Sequence, residues 1–123
     1  MAKHKKTVVL GASTKESRAS NQVVHRLTRY GYEAVPLSIK KGEIGGIPII
    51  NDFPAVEGVH TVSLYLNPQR QKQYYPYILN ELQPERIIFN PGTENEELAK
   101  LAVDKGIETE NACTLVLLSV GVY

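Results

Sequence analysis

The chain has 123 residues, 42% of them hydrophobic and 22% charged, with a formal net charge of +1 at pH 7. That length suits one domain with a single core, and the near-neutral balance excludes a generic nucleic-acid binder or a protein drawn to anionic membranes by its overall field. The single cysteine, Cys113, excludes an internal disulfide framework and fits a reducing compartment, so the cytoplasm is the expected location. The apolar run Val8–Leu10 is shorter than the roughly 7–15 residues of a secretory core. "LVLLSVGVY", Leu115–Tyr123, falls far short of the roughly 20 residues that a membrane span needs.

Short apolar runs alternate with amphipathic segments, the pattern of an α/β protein with a mostly parallel sheet. Residues 1–6 read as a disordered tail. "TVVL", Thr7–Leu10, is a strand that ends at Gly11. Val23, Val24, Leu27 and Tyr30 then fall at helical spacing, Ser20 suits the cap of that helix, and Gly31 suits the left-handed residue past its end. "EAVPL", Glu33–Leu37, is a second strand, with Pro36 near its end, where a missing donor costs little. Ser38–Gly58 is loop-rich, with one short helical turn expected near Phe53–Val56.

His60–Leu66 is the third strand. Asn67 and Pro68 stop it and also suit an N-cap and a first helical residue. Pro76 either kinks one long helix or, the preferred reading, begins a shorter one that runs to about Leu82. Arg86–Phe89 is the fourth strand, and "NPGT" is a turn. Thr93 with Glu96 three residues on makes a capping box for a helix that Gly106 ends. "IETEN", Ile107–Asn111, is a short fifth strand, and Thr114–Val120 a last helix or apolar tail.

These elements make a Rossmann-like three-layer sandwich with a five-stranded, mostly parallel sheet, one domain over residues 1–123. In such sheets the ligand crevice lies beyond the carboxyl ends of the strands, where strand order reverses. The loops there are Gly11–Ser20, Pro36–Gly46, Tyr65–Arg70 and Asn90–Thr93.

The first of these loops departs from the dinucleotide fingerprint, because only Gly11 of its three glycines is present. Ser13, Thr14, Lys15, Ser17, Arg18 and Ser20 stand in place of the others. Hydroxyls, backbone N–H groups, the Arg18 fork and the first turn of the next helix all suit phosphate oxygens. The competing reading is a solvated Ser/Thr turn with Lys15 and Arg18 as surface charges. NAD is disfavoured because strand two ends "VPLS", without an acid for the ribose hydroxyls; Glu33 stands at the wrong end.

Catalytic groups are scarce. His4, His25 and His60 are widely separated and Cys113 stands alone, which is not metal-ligand spacing. Cys113 has Glu108 and Glu110 near it and reads as a small buried residue after strand five. Glu94–Glu97 fits helix capping and the dipole better than a general-acid pair. Tyr74, Tyr75 and Tyr77 read as packing or a subunit contact rather than base stacking. The apolar tail reads as packing within the monomer.

From Val8 to Cys113 the chain resembles the small stand-alone CoA-binding-domain proteins (the CoA_binding_2 group), which look like the nucleotide-binding domain of the succinyl-CoA synthetase alpha subunit. The landmarks, in order, are "GAS", the serine and Arg18 before helix one, "VPLS", "LYLNP", "NPGTENEEL" and "NAC". The resemblance implies coenzyme A or acyl-CoA as cofactor. Its phosphates would lie over Gly11, Ala12, Ser13, Thr14, Lys15, Arg18, Ser20 and Asn21. Pro36, Leu37, Ser38 and Lys40 would flank the nucleotide, with Lys40 toward the 3′-phosphate. Tyr65, Asn67 and Pro68 would lie near the adenine or the pantetheine arm, and Asn90, Pro91 and Gly92 along the path to the thiol.

Two departures bear on activity. Thr14-Lys15 replaces the Pro-Asn of many relatives, and the synthetase's phosphohistidine domain has no counterpart in these residues. The expected function is therefore CoA or acyl-CoA binding without catalytic machinery, as a carrier, a sensor or the partner of another enzyme. No nucleic acid and no membrane are expected, and the chain is a monomer or homodimer. Two alternatives stand beside this. One is an NAD(P)- or other nucleotide-dependent enzyme, including an acyl-transferring role for Tyr65 or Cys113. The other is an interaction scaffold with a vestigial pocket.

Overall fold

The computed structural model describes residues 5–123. In chain order it runs β1 (Thr7–Leu10), α1 (Ala19–Arg29), β2 (Ala34–Leu37), β3 (Glu43–Ile44), β4 (Ile47–Pro48), β5 (Thr61–Leu64) and α2 (Pro68–Gln71). A 3₁₀ turn (Lys72–Tyr74) and a π-helix (Tyr77–Leu82) follow, then β6 (Arg86–Phe89), α3 (Glu96–Asp104), β7 (Glu108–Asn111) and α4 (Thr114–Ser119).

Five strands form one parallel sheet in the order β2-β1-β5-β6-β7, the Rossmann-like α/β sandwich expected from the sequence. Every residue of β1, β2, β5 and β6 is buried, as parallel strands covered on both faces require. Side chains alternate between two cores. Leu10, Leu64 and Phe89 pack toward Tyr77, Ile78 and Leu98 on one face. Val9 and Ile88 pack toward Val23, Val24 and Leu27 of α1 and Leu118 of α4 on the other. The outer strand β7, "ETEN", is polar, which protects an exposed edge from pairing with another chain. On the opposite edge the Pro36 carbonyl accepts from Ile50 N (3.0 Å), so the N–H that proline lacks falls on the side of β2 away from β1 and costs no bond between those two strands.

Helix α1 starts two residues earlier than its sequence suggests. Arg18 occupies the N-cap without a side-chain cap bond, and Ser20 is buried in the first turn instead of capping it. The far end follows the glycine rule. Gly31 has φ +87°, its N–H donates to Thr28 O (3.1 Å), and Tyr32 N donates to Leu27 O (2.9 Å), a Schellman closure.

Other expectations need correction. No helical turn forms at Phe53–Val56; that stretch is held from outside, with the Tyr77 hydroxyl donating to Pro54 O (2.6 Å) and the Phe53 ring against Tyr74 and Tyr77. The loop-rich segment before it contains the β3–β4 hairpin. Its two-residue turn, Gly45-Gly46, has both φ values positive (+56° and +83°), as a type I′ turn demands. Pro76 neither starts a helix nor simply kinks one. Lys72, Tyr75 and Pro76 keep right-handed helical torsions, and the turns after Pro76 widen to π spacing, with Gln83 N donating to Ile78 O (3.0 Å). The cap of α3 is Asn95, whose Oδ1 accepts from Leu98 N (3.1 Å), while the Thr93 hydroxyl turns back to Asn90 O (2.8 Å).

Lys5 and Lys6, read as tail, are anchored. Lys6 O accepts from His60 N (2.9 Å), and Lys5 Nζ donates to Tyr123 O (2.5 Å). Residues 1–4 lie outside the described residues. The Tyr123 side chain is buried, with its hydroxyl paired to Thr7 Oγ1 and its ring on Tyr32 and the Arg86 guanidinium. Among the described residues no helix is long and apolar enough to cross a membrane.

Candidate functional site

Strand β1 has β2 on one side and β5 on the other, so the chains leaving β1 and β5 part at the carboxyl edge and open a crevice between them. Gly11 lies at the parting. Its φ is +99°, and a Cβ there would stand 3.1 Å from Leu66 Cδ2 and 3.2 Å from the Tyr65 carbonyl carbon. Only glycine permits both the torsion and the approach.

The loop after Gly11 is fixed by its own polar groups. Gly11 N and Ala12 N both donate to Leu37 O (2.8 and 3.2 Å). Ser13 Oγ accepts from Lys15 N (3.1 Å), and Asn21 Nδ2 donates to Ser13 O (2.9 Å), which pins the loop to α1. The loop after β2 is tied in the same way. Ser38 Oγ accepts from Lys40 N (3.1 Å), and Asn51 Nδ2 donates to both Ser38 O (2.6 Å) and Lys40 O (2.8 Å).

Between these loops lies a cleft of about 580 Å³, within the range of small-molecule sites. Gly11, Ala12, Tyr65 and Leu66 line it from the β1 and β5 loops; Ser13, Arg18, Ala19 and Ser20 from the head of α1; Ser38, Ile39 and Lys40 from the β2 loop; and Arg70, Gln73 and Tyr74 from the α2 segment. Arg18, Lys40 and Arg70 are the charged members, and no carboxylate is among them. Such a one-sign concavity focuses an attractive field on anions.

Of the residues singled out in the sequence, Gly11, Ala12, Ser13, Arg18, Ser20, Ser38, Lys40 and Tyr65 meet at this cleft. The remaining ones stand elsewhere. Thr14 and Lys15 are exposed on the outer side of the loop, with the Thr14 methyl against Gly42. Asn21 is buried behind Ser13, and Pro36 and Leu37 belong to β2. Asn67 caps α2, its Oδ1 accepting from Arg70 N (2.9 Å), and Pro68 is the first helical residue. Pro91 and Gly92 lie on an exposed turn away from the cleft lining. Asn90 is 2% exposed and spends its amide on the framework.

Ala19, Ile39, Leu66 and Arg70 also line the cleft and lie inside the crevice loops expected from the sequence, though none was singled out; Gln73 and Tyr74 lie outside those loops and were missed as site residues. A signal for part of this set was present. A helix starting at Pro68 puts Arg70, Gln73 and Tyr74 at i, i+3 and i+4, on one face.

Beneath the cleft the Tyr65 hydroxyl is buried with no hydrogen-bond partner among the described residues. Ser63 Oγ and Thr114 Oγ1 lie near it but bond each other (2.8 Å). Burial pushes this phenol up to about 12, against a smaller pull downward from those two hydroxyls. It stays protonated at neutral pH. Because the folded value exceeds the unfolded value of 10.0, the unfolded chain loses its proton first as pH rises, and stability falls from about pH 10 to about pH 12. Tyr65→Phe is expected to flatten that decline in urea midpoints taken at pH 9 and pH 11. An unchanged slope would assign the decline to other tyrosines.

Cys113 is half-buried rather than buried and occupies the N-cap of α4. Among the described residues no group of histidines, cysteines and carboxylates could hold a metal ion.

Residues 5–119 match the CoA binding domain family. The chain belongs to that family. A crystal structure of an uncharacterized protein is 50% identical to this CoA-binding domain, covers 98% of it and 99% of its own chain, and has a TM-score of 0.95. A hypothetical protein from Pyrococcus horikoshii OT3 is 25% identical, with 92% and 80% covered and a TM-score of 0.82. A Thermus thermophilus structure at 22% identity, with 98% and 91% covered and a TM-score of 0.83, shares the fold. No curated protein matches. Membership of the CoA binding domain family supports CoA binding in general terms, and three cations, Arg18, Lys40 and Arg70, line the cleft.

Proposed function

We propose that this protein holds coenzyme A or acyl-CoA in the cleft bounded by the loops after β1, β2 and β5. It acts in the cytoplasm as a carrier, a sensor or the partner of an enzyme that supplies the chemistry. One observation carries this reading: Arg18, Lys40 and Arg70 converge on a concavity whose lining has no carboxylate, and none of the three makes an ion pair among the described residues.

The diphosphate belongs against Ser13, Arg18 and Ser20. There the unshared N–H groups at the head of α1 and its positive dipole end favour an anion. Arg18 adds a bidentate, charge-assisted donor. Asn90, Pro91 and Gly92, expected along the thiol path, are not among the residues that line this cleft.

Isothermal titration with CoA, NAD and ATP tests the reading. CoA binds in preference to both, and Arg18→Ala weakens CoA by about 1–3 kcal/mol, the range for losing a charge-assisted bond. No heat with CoA alongside binding of NAD would support the nucleotide-dependent enzyme instead.

A further inference from the structure

We infer that Arg70 makes the cleft selective for ligands with two separated phosphate centres, and that in CoA it engages the 3′-phosphate. The inference rests on the CoA reading above and adds to it a residue that sets specificity.

The cleft has cations on facing walls. Arg18 stands at the head of α1, and α1 packs on the sheet face that carries Val9 and Ile88. Arg70 stands on the segment that leads into Tyr74 and Tyr77, which pack on the opposite face. A compact diphosphate seated at the head of α1 satisfies the first wall and leaves the second unmatched. A ligand that complements both needs another anionic group, branching away from the first.

That second group has a defined end of the cleft. A neighbouring cleft of about 500 Å³ shares Ile39, Gln73 and Tyr74 with the first and includes no residue of the β1 loop or α1. The β2 loop and the α2 segment therefore adjoin at the end away from Arg18; Lys40 and Arg70 belong to these two segments and line the first cleft, while Lys41 and Asp52 are the charged residues of the second. Ile39, 74% exposed, and the paired rings of Phe53 and Tyr74 (centroids 5.4 Å apart) border the same end. A purine covering them would bring its ribose phosphate to Lys40 and Arg70.

Arg70 is mounted rigidly and its charge is free. Its N–H is held by Asn67 Oδ1 (2.9 Å). The next residue, Gln71, is fully buried and donates to Leu66 O and Thr93 O (2.8 Å each), while its Oε1 accepts from Asn95 Nδ2 (2.9 Å). The backbone is thus fixed to the loops after β5 and β6, and the guanidinium has no ion-pair partner among the described residues. The fixed backbone sets where the exposed side chain starts, and the unpaired guanidinium is available to an anion.

Calorimetric titration of the wild type, Arg70→Ala, Arg70→Lys and Arg18→Ala with CoA and with dephospho-CoA tests the assignment. The wild type prefers CoA by at least about tenfold, the scale of one charge-assisted contact. Arg70→Ala loses most of that preference through weaker CoA binding, with dephospho-CoA affinity and melting temperature held. Arg70→Lys keeps part of the preference, and Arg18→Ala weakens both ligands alike. Equal weakening of both ligands by Arg70→Ala, or an unchanged ratio, would overturn the assignment. A wild type that binds both ligands equally would overturn it while sparing the CoA reading, and one that binds neither would end both.

Discussion

Asn90→Ala is expected to lower the unfolding free energy by about 2–4 kcal/mol, the scale of stranding buried polar partners. Asn90 follows β6, and its side chain joins three elements. Its Nδ2 donates to Ser63 Oγ and Leu64 O (2.9 Å each), and its Oδ1 accepts from Thr114 N (2.8 Å). Thr114 N is one of the donors that the start of α4 leaves without a helical acceptor, and the local cap residue, Cys113, supplies no side-chain bond. Asn90 thus caps α4 from a different strand. Alanine would remove all three bonds where water has little access to replace them. Asn90→Asp keeps the acceptor for Thr114 but sets a carboxylate oxygen against the Leu64 carbonyl, so it should be no milder at neutral pH. Urea titrations of both variants check this, and a loss below about 1 kcal/mol for alanine would mean that the site rearranges freely.

Gly11→Ala is expected to damage both the fold and the cleft. The torsion of +99° is outside the region open to alanine, and the added methyl would press on Leu66 and the Tyr65 carbonyl carbon at 3.1–3.2 Å. Left-handed strain and overpacking together amount to about 2–4 kcal/mol. Gly58→Ala is the control, because Gly58 also has a positive φ (+71°) but nothing within 4 Å of the added atom. Thermal melts should place Gly11→Ala well below Gly58→Ala, and CoA titration should show loss of affinity only for Gly11→Ala. Equal melting temperatures would show that the β1 and β5 loops can separate at no cost.

The strands were the most legible part of the fold. "TVVL" and "RIIF" are short, β-branched or aliphatic and fully buried, so composition and turn residues marked them directly, and their bounds agree with the structure. The end of α1 was legible because Gly31 has one local use. Elements decided by tertiary contacts were not. Thr93 and Asn95 both precede the acidic turn of α3, and sequence alone favoured the capping box; the structure engages Thr93 with Asn90 and leaves the cap to Asn95. The Gly45-Gly46 hairpin was overlooked because its strands are two residues each, too short to alternate, although its turn signal was present. At the site, residues on the loops after β1 and β2 could be found from position. Arg70 fell inside the crevice loop Tyr65–Arg70, whereas Gln73 and Tyr74 lay past its end, on the helical segment that follows Pro68.

A crystal structure of the protein grown with coenzyme A measures the central claim most directly. The diphosphate should lie against Ser13, Arg18 and Ser20, between the loops that follow β1 and β5. Coenzyme A bound outside this cleft, or no density in it at saturating ligand, would contradict the account.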